Sequence, residues 1–503
     1  MKVLMLGWEF PPHISGGLGT ACYGLTQGLS AEGVDVLFVV PRVHGDEDQS
    51  HARIVGCNRA VFPEIRSEPT EPTEPIEPTE PSTTVATDEE GDAATDEVPR
   101  EVLRTTLTML TVESGLSPYL DEGSYQLHQQ RKIVSDASRA RREASQETEL
   151  ALEELGELLS GIRTSGIGIL QEFLDRARQI EFSGVYGPDL YAEVARYALA
   201  VCEIARREEF DVIHAHDWMT YAAGVLAKEI TGRPLVVHLH ASEFDRSGEN
   251  QNQRVCALEQ LGFSGADRIV CVSRYTAEVL KRNYELDPLK LRVVHNAVLP
   301  SALAESDDDL VPTPVTVPRR SDEARTKAPI VLFLGRMTYQ KGPDYFLEAA
   351  RKVVDIDPDV KFVMAGSGDM WPGIVERSAE LGLGRNVHFT GFLRGEEVDR
   401  MYAMADLYVM PSVSEPFGIS PLEAMAADVP VIVSKQSGVS EIVDHALKVD
   451  FWDVDELANK ILAVLQYGDL RRALLEKGRQ EVQQIRWDKP ARLVKEIYRE
   501  LTT

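Results

Sequence analysis

Short apolar runs, each closed by a turn and followed by a helix-length stretch, recur along this chain of 503 residues. The first, Lys2-Val3-Leu4-Met5-Leu6, leads through a Gly/Pro-rich turn into a predicted helix over about residues 20–32 and a second apolar run from Val34 to Val40. From Leu190 the alternation resumes, with a helix to about Arg207 and strands at Val212-Ile213-His214, Pro234 to Leu239, Arg268 to Val272 and Leu291 to Val294. A further series opens at Ile330-Val331-Leu332-Phe333-Leu334 and continues at Lys361 to Ala365, Asn386 to Phe389, Leu407 to Met410 and Pro430 to Val433. A strand apolar on both faces needs cover on both, and parallel neighbours need a crossover between them. Helices alternating with such strands therefore specify doubly wound parallel sheets. The reading is α/β, with two Rossmann-like domains in series, residues 1–300 and 328–503, and the polar, proline-containing connection 301–327 between them. The last helix is expected to pack back on the first domain.

Regularity fails inside the first domain. Glu68-Pro69-Thr70 recurs with a period of three as Glu71-Pro72-Thr73, Glu74-Pro75-Ile76 and Glu77-Pro78-Thr79. Proline at this spacing, among repelling glutamates, excludes a helix or a central strand and reads as an extended linker. It belongs to an insertion over about residues 64–181, whose later part, from about His128 to Glu181, is rich in Ala, Leu, Glu and Arg and reads as a helical hairpin. The low-complexity part, 64–100, carries twelve acidic residues against two basic ones, a large local share of the net charge of −28. So acidic a chain repels nucleic acid and anionic bilayers, so neither a nucleic-acid partner nor stable membrane insertion is expected. Cys22, Cys57, Cys202, Cys256 and Cys271 are odd in number and scattered, with neither metal-ligand spacing nor a disulfide framework. Met1 to Leu6 enters a strand without a secretory leader, and the chain reads as cytoplasmic.

In doubly wound sheets ligands bind beyond the carboxyl ends of the strands, so the strand-to-helix turns are the places to look for chemistry. The first turn holds Gly16-Gly17-Leu18-Gly19 at a helix start, where backbone amides can approach a phosphate. Paired glycines also serve ordinary tight turns. The dinucleotide fingerprint is absent, because Cys22 stands at the third-glycine position, which counts against a dehydrogenase. The turn Gly335-Arg336-Met337-Thr338-Tyr339-Gln340-Lys341-Gly342 places two cations after the first strand of the second domain, where they can converge on a diphosphate or form a solvated basic loop. The segment Glu415-Pro416-Phe417-Gly418-Ile419-Ser420-Pro421-Leu422-Glu423-Ala424-Met425 again follows an apolar strand. Amides at Gly418, Ile419 and Ser420 suit a donor sugar and phosphate, while Glu423 can accept from ribose hydroxyls and Glu415 from sugar hydroxyls. Both carboxylates can also be read as charges at a helix N-terminus. His214, His216 and Asp217 raise the question of zinc, but two of them alternate along one strand and no second cluster stands out, so no metal site is expected.

Together, the segment 415–425, the turn 335–342, Gly16-Gly17 and His214-Ala215-His216-Asp217-Trp218 resemble the retaining GT-B glycosyltransferases of family 4 type, related to glycogen and starch synthases. The resemblance spans nearly the whole chain outside the insertion. It implies two facing Rossmann-like domains and a nucleotide-sugar donor (UDP-, ADP- or GDP-linked). Arg336 and Lys341 would hold the diphosphate, Glu423 the ribose, Glu415 the transferred sugar, and Gly17 would add an amide to the phosphate. His240, in Val237-His238-Leu239-His240, would face the donor sugar, Asp217 would lie on the acceptor side, and Asn296 near the sugar. A lone His after a strand is also read as a core or turn residue, and Asp217 as a helix cap. No cofactor is implied, basic side chains and helix dipoles taking the place of a metal.

The implied activity is transfer of a hexose such as glucose to a carbohydrate or other hydroxyl acceptor, with retention through a front-face displacement. Glycogen synthesis is a candidate, favoured by His-Ala-His-Asp-Trp. Ile14 stands against it where those synthases typically carry lysine, and Phe417 where the bacterial ones often carry cysteine. The alternatives are a sugar-nucleotide epimerase on the same fold and a non-catalytic nucleotide-sugar-binding module.

Overall fold

The apolar runs become the strands of two sheets. The structure is a computed structural model that describes residues 1–13, 17–57, 190–299 and 328–503. The insertion, the connection 301–327 and the residues Ile14, Ser15 and Gly16 lie outside the described residues.

The first lobe runs β1 (Lys2–Leu6), α1 (Gly17–Ala31), β2 (Asp35–Val40), β3 (Arg53–Gly56), α2 (Leu190–Arg207), β4 (Val212–His216), α3 (Trp218–Thr231), β5 (Leu235–Leu239), α4 (Glu243–Ser247), α5 (Gln253–Gly265), β6 (Arg268–Cys271), α6 (Arg274–Asn283) and β7 (Leu291–Val293). Its seven strands are all parallel in the order β3-β2-β1-β4-β5-β6-β7. The second lobe runs β8 (Ile330–Leu334), α7 (Pro343–Ile356), β9 (Lys361–Ala365), α8 (Trp371–Glu380), β10 (Val387–Gly391), α9 (Glu396–Met404), β11 (Leu407–Met410), α10 (Ser420–Ala426), β12 (Val431–Ser434), β13 (Leu447–Val449), α11 (Val454–Gln466), α12 (Gly468–Val482) and α13 (Asp488–Thr502). Its six parallel strands are ordered β10-β9-β8-β11-β12-β13.

Two strands escape a reading by apolar pattern, β3 and β13. Both lie at sheet edges, and each carries a charged residue, Arg53 and Lys448, so neither shows the continuous apolar run of a central strand. The first helix begins at Gly17, ahead of the Thr20 that its apolar pattern marks.

Each sheet is buried on both faces. Leu4, Leu6, Ile213, Ala215, Val237 and Leu239 face one helix layer with α2, α3 and α5, while Val3, Met5, Val36, Val212 and Val236 face the other with α1 and α13. Helix α3 is buried continuously from Trp218 to Ala227, as expected for a helix sandwiched between sheet and neighbouring helices. The chain ends by returning to the first lobe: Trp487, Ala491, Val494, Ile497 and Tyr498 join the core over α1. Glycines on α1 make room for it, since a Cβ at Gly24 would fall 2.1 Å from the Trp487 indole nitrogen.

Candidate active site

The order of each sheet reverses once, and in doubly wound sheets such a switch point, beyond the strand ends, is where ligands bind. In the first lobe the reversal lies between β1 and β4, whose carboxyl ends carry Gly7-Trp8 and His216-Asp217. In the second it lies between β8 and β11, whose ends carry the Arg336–Lys341 turn and the Pro411–Ser420 loop. Three of the groups singled out from sequence, His214–Trp218, the turn 335–342 and the segment from Glu415, thus stand at a switch point, and Gly17 opens the helix that follows β1.

In the second lobe Lys341 and Glu415 meet, Nζ to Oε2 at 2.5 Å, and the Ser412 hydroxyl donates to the same oxygen at 3.1 Å. Oε1 of Glu415 has no partner among the described residues, although the residue is only 6% exposed. Its backbone is pinned to the loop after β12, Glu415 N donating to Gln436 O and Gly438 N to Glu415 O, each at 2.9 Å. The turn bearing Arg336 is held by the loop after β9: Gly335 N donates to Ala365 O at 2.9 Å, Met337 N to Ser367 O at 2.8 Å and Met370 N to Met337 O at 3.0 Å. That loop, Gly366-Ser367-Gly368, is a supporting element that carries no charged side chain to mark it, although its glycines follow a strand as the other turns do. Gly418 takes φ +94°, and a Cβ there would press on Met410 and on Glu415 Cγ, so only glycine turns the chain from Glu415 into α10. Ile419 O accepts from Leu422 N and Glu423 N, opening α10 at Ser420. The Glu423 carboxylate accepts from the Tyr402 hydroxyl at 3.1 Å, and burial pushes its pKa above the ordinary carboxylate range.

In the first lobe Asp217 has φ +60°, uncommon for a non-glycine residue, and its side chain makes no capping bond to α3. It stands at the N-cap position of α3, but its carboxylate is turned elsewhere. One of its oxygens accepts from the His240 amide at 2.8 Å and the other from Arg246 at 3.3 Å. Arg246 also donates to Glu259 at 3.3 Å. Glu259 is fully buried and accepts from the Glu243 amide and the Tyr284 hydroxyl. Burial pushes its pKa up to about 7, against the opposing pull of Arg246 and Tyr284. The His240 ring lies against His216, Nε2 to Nδ1 at 2.9 Å. Asn296 is buried beside His295, and Gly17 opens α1; Gly16 lies outside the described residues.

The two lobes are joined by hydrogen bonds that no local pattern announces. The Ser414 hydroxyl, next to Glu415, donates to Asp245 at 2.6 Å, and the Tyr275 hydroxyl donates to Ser414 at 3.0 Å. Asp245 in turn closes a capping box with Ser242 at the start of α4. Glu441, from the second lobe, accepts from the first amides of α6, Arg274 at 3.0 Å and Tyr275 at 2.7 Å, and lies 2.8 Å from His295 Nε2. Burial raises the Glu441 pKa, but His295 and the two amides together outweigh it and hold the carboxyl below its ordinary value.

Along the chain the His/Asp cluster at 214–217 stands by itself. Parallel pairing of β4 with β5 sets His216 opposite His238 and builds a second. Among the described residues, the possible ligand atoms of Cys22, His216 and His240 lie within 4.8 Å of one another, as do those of His214, His216 and His238 and those of the exposed His13 and Asp46 with the half-buried Glu47.

Two doubly wound parallel lobes whose switch points carry glycine turns, paired cations and carboxylates define the GT-B architecture. The comparisons agree: residues 317–481 match the family described as glycosyl transferases group 1, residues 169–301 glycosyltransferase family 4, and residues 2–79 the starch synthase catalytic domain. The chain belongs to the GT-B glycosyltransferases related to the starch synthases. An uncharacterized glycosyltransferase of Methanocaldococcus jannaschii is 33% identical over 300 residues, 58% of this chain and 76% of that protein. A D-inositol 3-phosphate glycosyltransferase of Salinispora tropica is 30% identical over 311 residues, 58% of this chain and 64% of that protein. Among solved structures, sucrose-phosphate synthase from Thermosynechococcus elongatus shares the fold at TM-score 0.61 and 16% identity, over 99% of this chain and 98% of that one. Anabaena HepE in complex with UDP and glucose shares it at TM-score 0.58 and 15% identity, over the full length of both. Among the described residues no helix is long and apolar enough to cross a membrane.

Proposed function

We propose that the protein transfers a hexose such as glucose, with retention, from a nucleoside-diphosphate sugar to an acceptor hydroxyl, and that it works in the cytoplasm. The contact between Lys341 and Glu415 at a switch point carries this reading: an ammonium for the diphosphate and a carboxylate oxygen left open for the sugar stand together. Arg336 and Lys341 neutralise the charge that grows on the departing diphosphate, with the amides of Gly17, Gly418, Ile419 and Ser420 beside them. Glu423 holds the ribose, Glu415 grips the transferred sugar, and His240 and Asn296 face that sugar from the first lobe. Asp217, on the acceptor side, fixes the His240 backbone.

The acceptor oxygen bonds to the anomeric carbon on the face from which the diphosphate leaves. The bond to the leaving oxygen breaks, and that oxygen takes the acceptor's proton. Neither a metal nor an organic cofactor is assigned a step. HepE, with UDP and UDP-glucose complexes, supports a uridine donor by analogy of fold.

For the acceptor, the starch synthase match over residues 2–79 favours a growing glucan. A second reading, a small phosphorylated polyol, is favoured by the relatives named D-inositol 3-phosphate glycosyltransferase. Incubation with radiolabelled UDP-, ADP- and GDP-sugars, with glycogen or inositol phosphate, separates them. Nucleotide release that depends on one acceptor is the expected result. Isomerised sugar nucleotide without acceptor would replace transferase by epimerase, and binding without turnover would leave a binding module.

A further inference from the structure

Four imidazoles line one face where β4 meets β5. His214 and His216 alternate along β4, and His238 and His240 stand on and just beyond β5. The rings stack, with centroids 4.3 Å apart for His214–His216 and 4.5 Å for His238–His240. His214, His216 and His238 are fully buried, and burial holds all four well or partly below the ordinary histidine pKa. They are neutral at pH 7, and a neutral imidazole carries one N–H and one lone pair.

The bond between His216 Nδ1 and His240 Nε2 therefore needs one donor and one acceptor, and two arrangements satisfy it. If His240 donates from Nε2, the His216 proton sits on its Nε2, which is buried without a partner. If His216 donates from Nδ1, its Nε2 is only an unused lone pair. A buried N–H without an acceptor is the rarer and costlier of the two. The second arrangement leaves His240 accepting at Nε2 and protonated at Nδ1, the ring nitrogen with no partner among the described residues.

We propose that His216 is a positioning residue that fixes His240 as its Nδ1–H tautomer, so that the His240 ring offers a hydrogen-bond donor to an oxygen of the bound sugar. The proposal rests on the reading of His240 as a sugar-facing residue. Asp217 fixes the same residue from the other side: its carboxylate holds the His240 amide at 2.8 Å while Arg246 holds the carboxylate. Backbone and ring are thus set by two neighbouring residues, 216 and 217, at the end of one strand. Mobile-proton ambiguity is removed before substrate arrives, which is how a supporting residue preorganises a polar contact.

The test uses the full chain labelled with ¹⁵N-histidine. Long-range proton–nitrogen spectra report the protonated nitrogen of each ring, and the His240 signals are assigned by their loss in His240→Gln. Two variants separate donor from bulk: in His216→Asn the amide N–H replaces the Nδ1 donor, and in His216→Leu the donor is gone. The wild type and His216→Asn should show His240 protonated at Nδ1, whereas His216→Leu should show mixed tautomers. His216→Leu should lose roughly tenfold or more in kcat with acceptor KM little changed, while His216→Asn stays within about threefold. His240 protonated at Nε2 in the wild type, or wild-type spectra and kcat in His216→Leu, would overturn the proposal. So would a stoichiometric metal that survives dialysis and disappears in His216→Asn, since an ion would then lie between the rings. If no sugar nucleotide supports turnover, the transferase reading fails, while the spectra of the unliganded protein still decide the tautomer.

Discussion

At the residue scale, Glu415 has one oxygen engaged by Lys341 and Ser412 and one without a protein partner. A ligand that arrives on this carboxylate finds it already oriented, and a diphosphate finds the ammonium already in place. Glu415→Gln keeps the shape and removes the charge pairing, and kcat/KM for the donor should fall on the order of a hundredfold. Arg336→Ala and Lys341→Ala should fall by about as much, since each removes a cation from the diphosphate. Steady-state assays with the preferred donor check all three, and wild-type rates in both alanine variants would remove those cations from the site.

At the element scale, the pair β4–β5 and helix α13 depend on each other. The Tyr498 hydroxyl, at the far end of the chain, lies 2.5 Å from His214 Nδ1. Tyr498→Phe leaves that nitrogen buried and unpartnered, and should cost about 1–3 kcal/mol in chemical denaturation with kcat unchanged. The four imidazoles have folded-state pKa values below the unfolded 6.5, so the stability they contribute is present above pH 6.5 and is lost as pH falls below it. Each proton taken up on unfolding adds up to about 1.4 kcal/mol per pH unit to the slope. Denaturant titrations from pH 7 to pH 5 should show this decline, and His238→Leu should flatten it. Both ring nitrogens of His238 lack partners, so nothing is orphaned by its loss.

At the scale of the whole molecule, the lobes are tied by Ser414–Asp245, by Thr276 donating to Pro416 O at 3.2 Å and by Glu441 at the start of α6. These bonds link the residue next to Glu415 to the residue next to Arg246, which holds Asp217. The two halves of the site are therefore set relative to one another by a short polar chain. Glu441→Ala removes the acceptor from the Arg274 and Tyr275 amides. Hydrogen exchange should quicken at the first turn of α6, and donor KM should rise severalfold; unchanged protection there would show that the contact does not hold the lobes together.

Much of this was legible in the residues themselves. Fully apolar strands such as Ile330–Leu334 and the glycine turns behind them are local properties, read by counting along the chain, and they determined the doubly wound class and the strand ends where chemistry is placed. Lys341 and Glu415 were both named from their turns, but their meeting depends on β8 lying beside β11, which no run of residues announces. The same holds for His216 and His240, brought together by the register of β4 and β5, and for Glu441, which reaches an amide 167 residues away. Periodicity and turn chemistry act over a few residues, so the sequence by itself determined the elements and the kinds of side chain at their ends. Strand order, register and the contacts between lobes act between residues far apart in the chain, so only the tertiary structure decided which of those side chains touch.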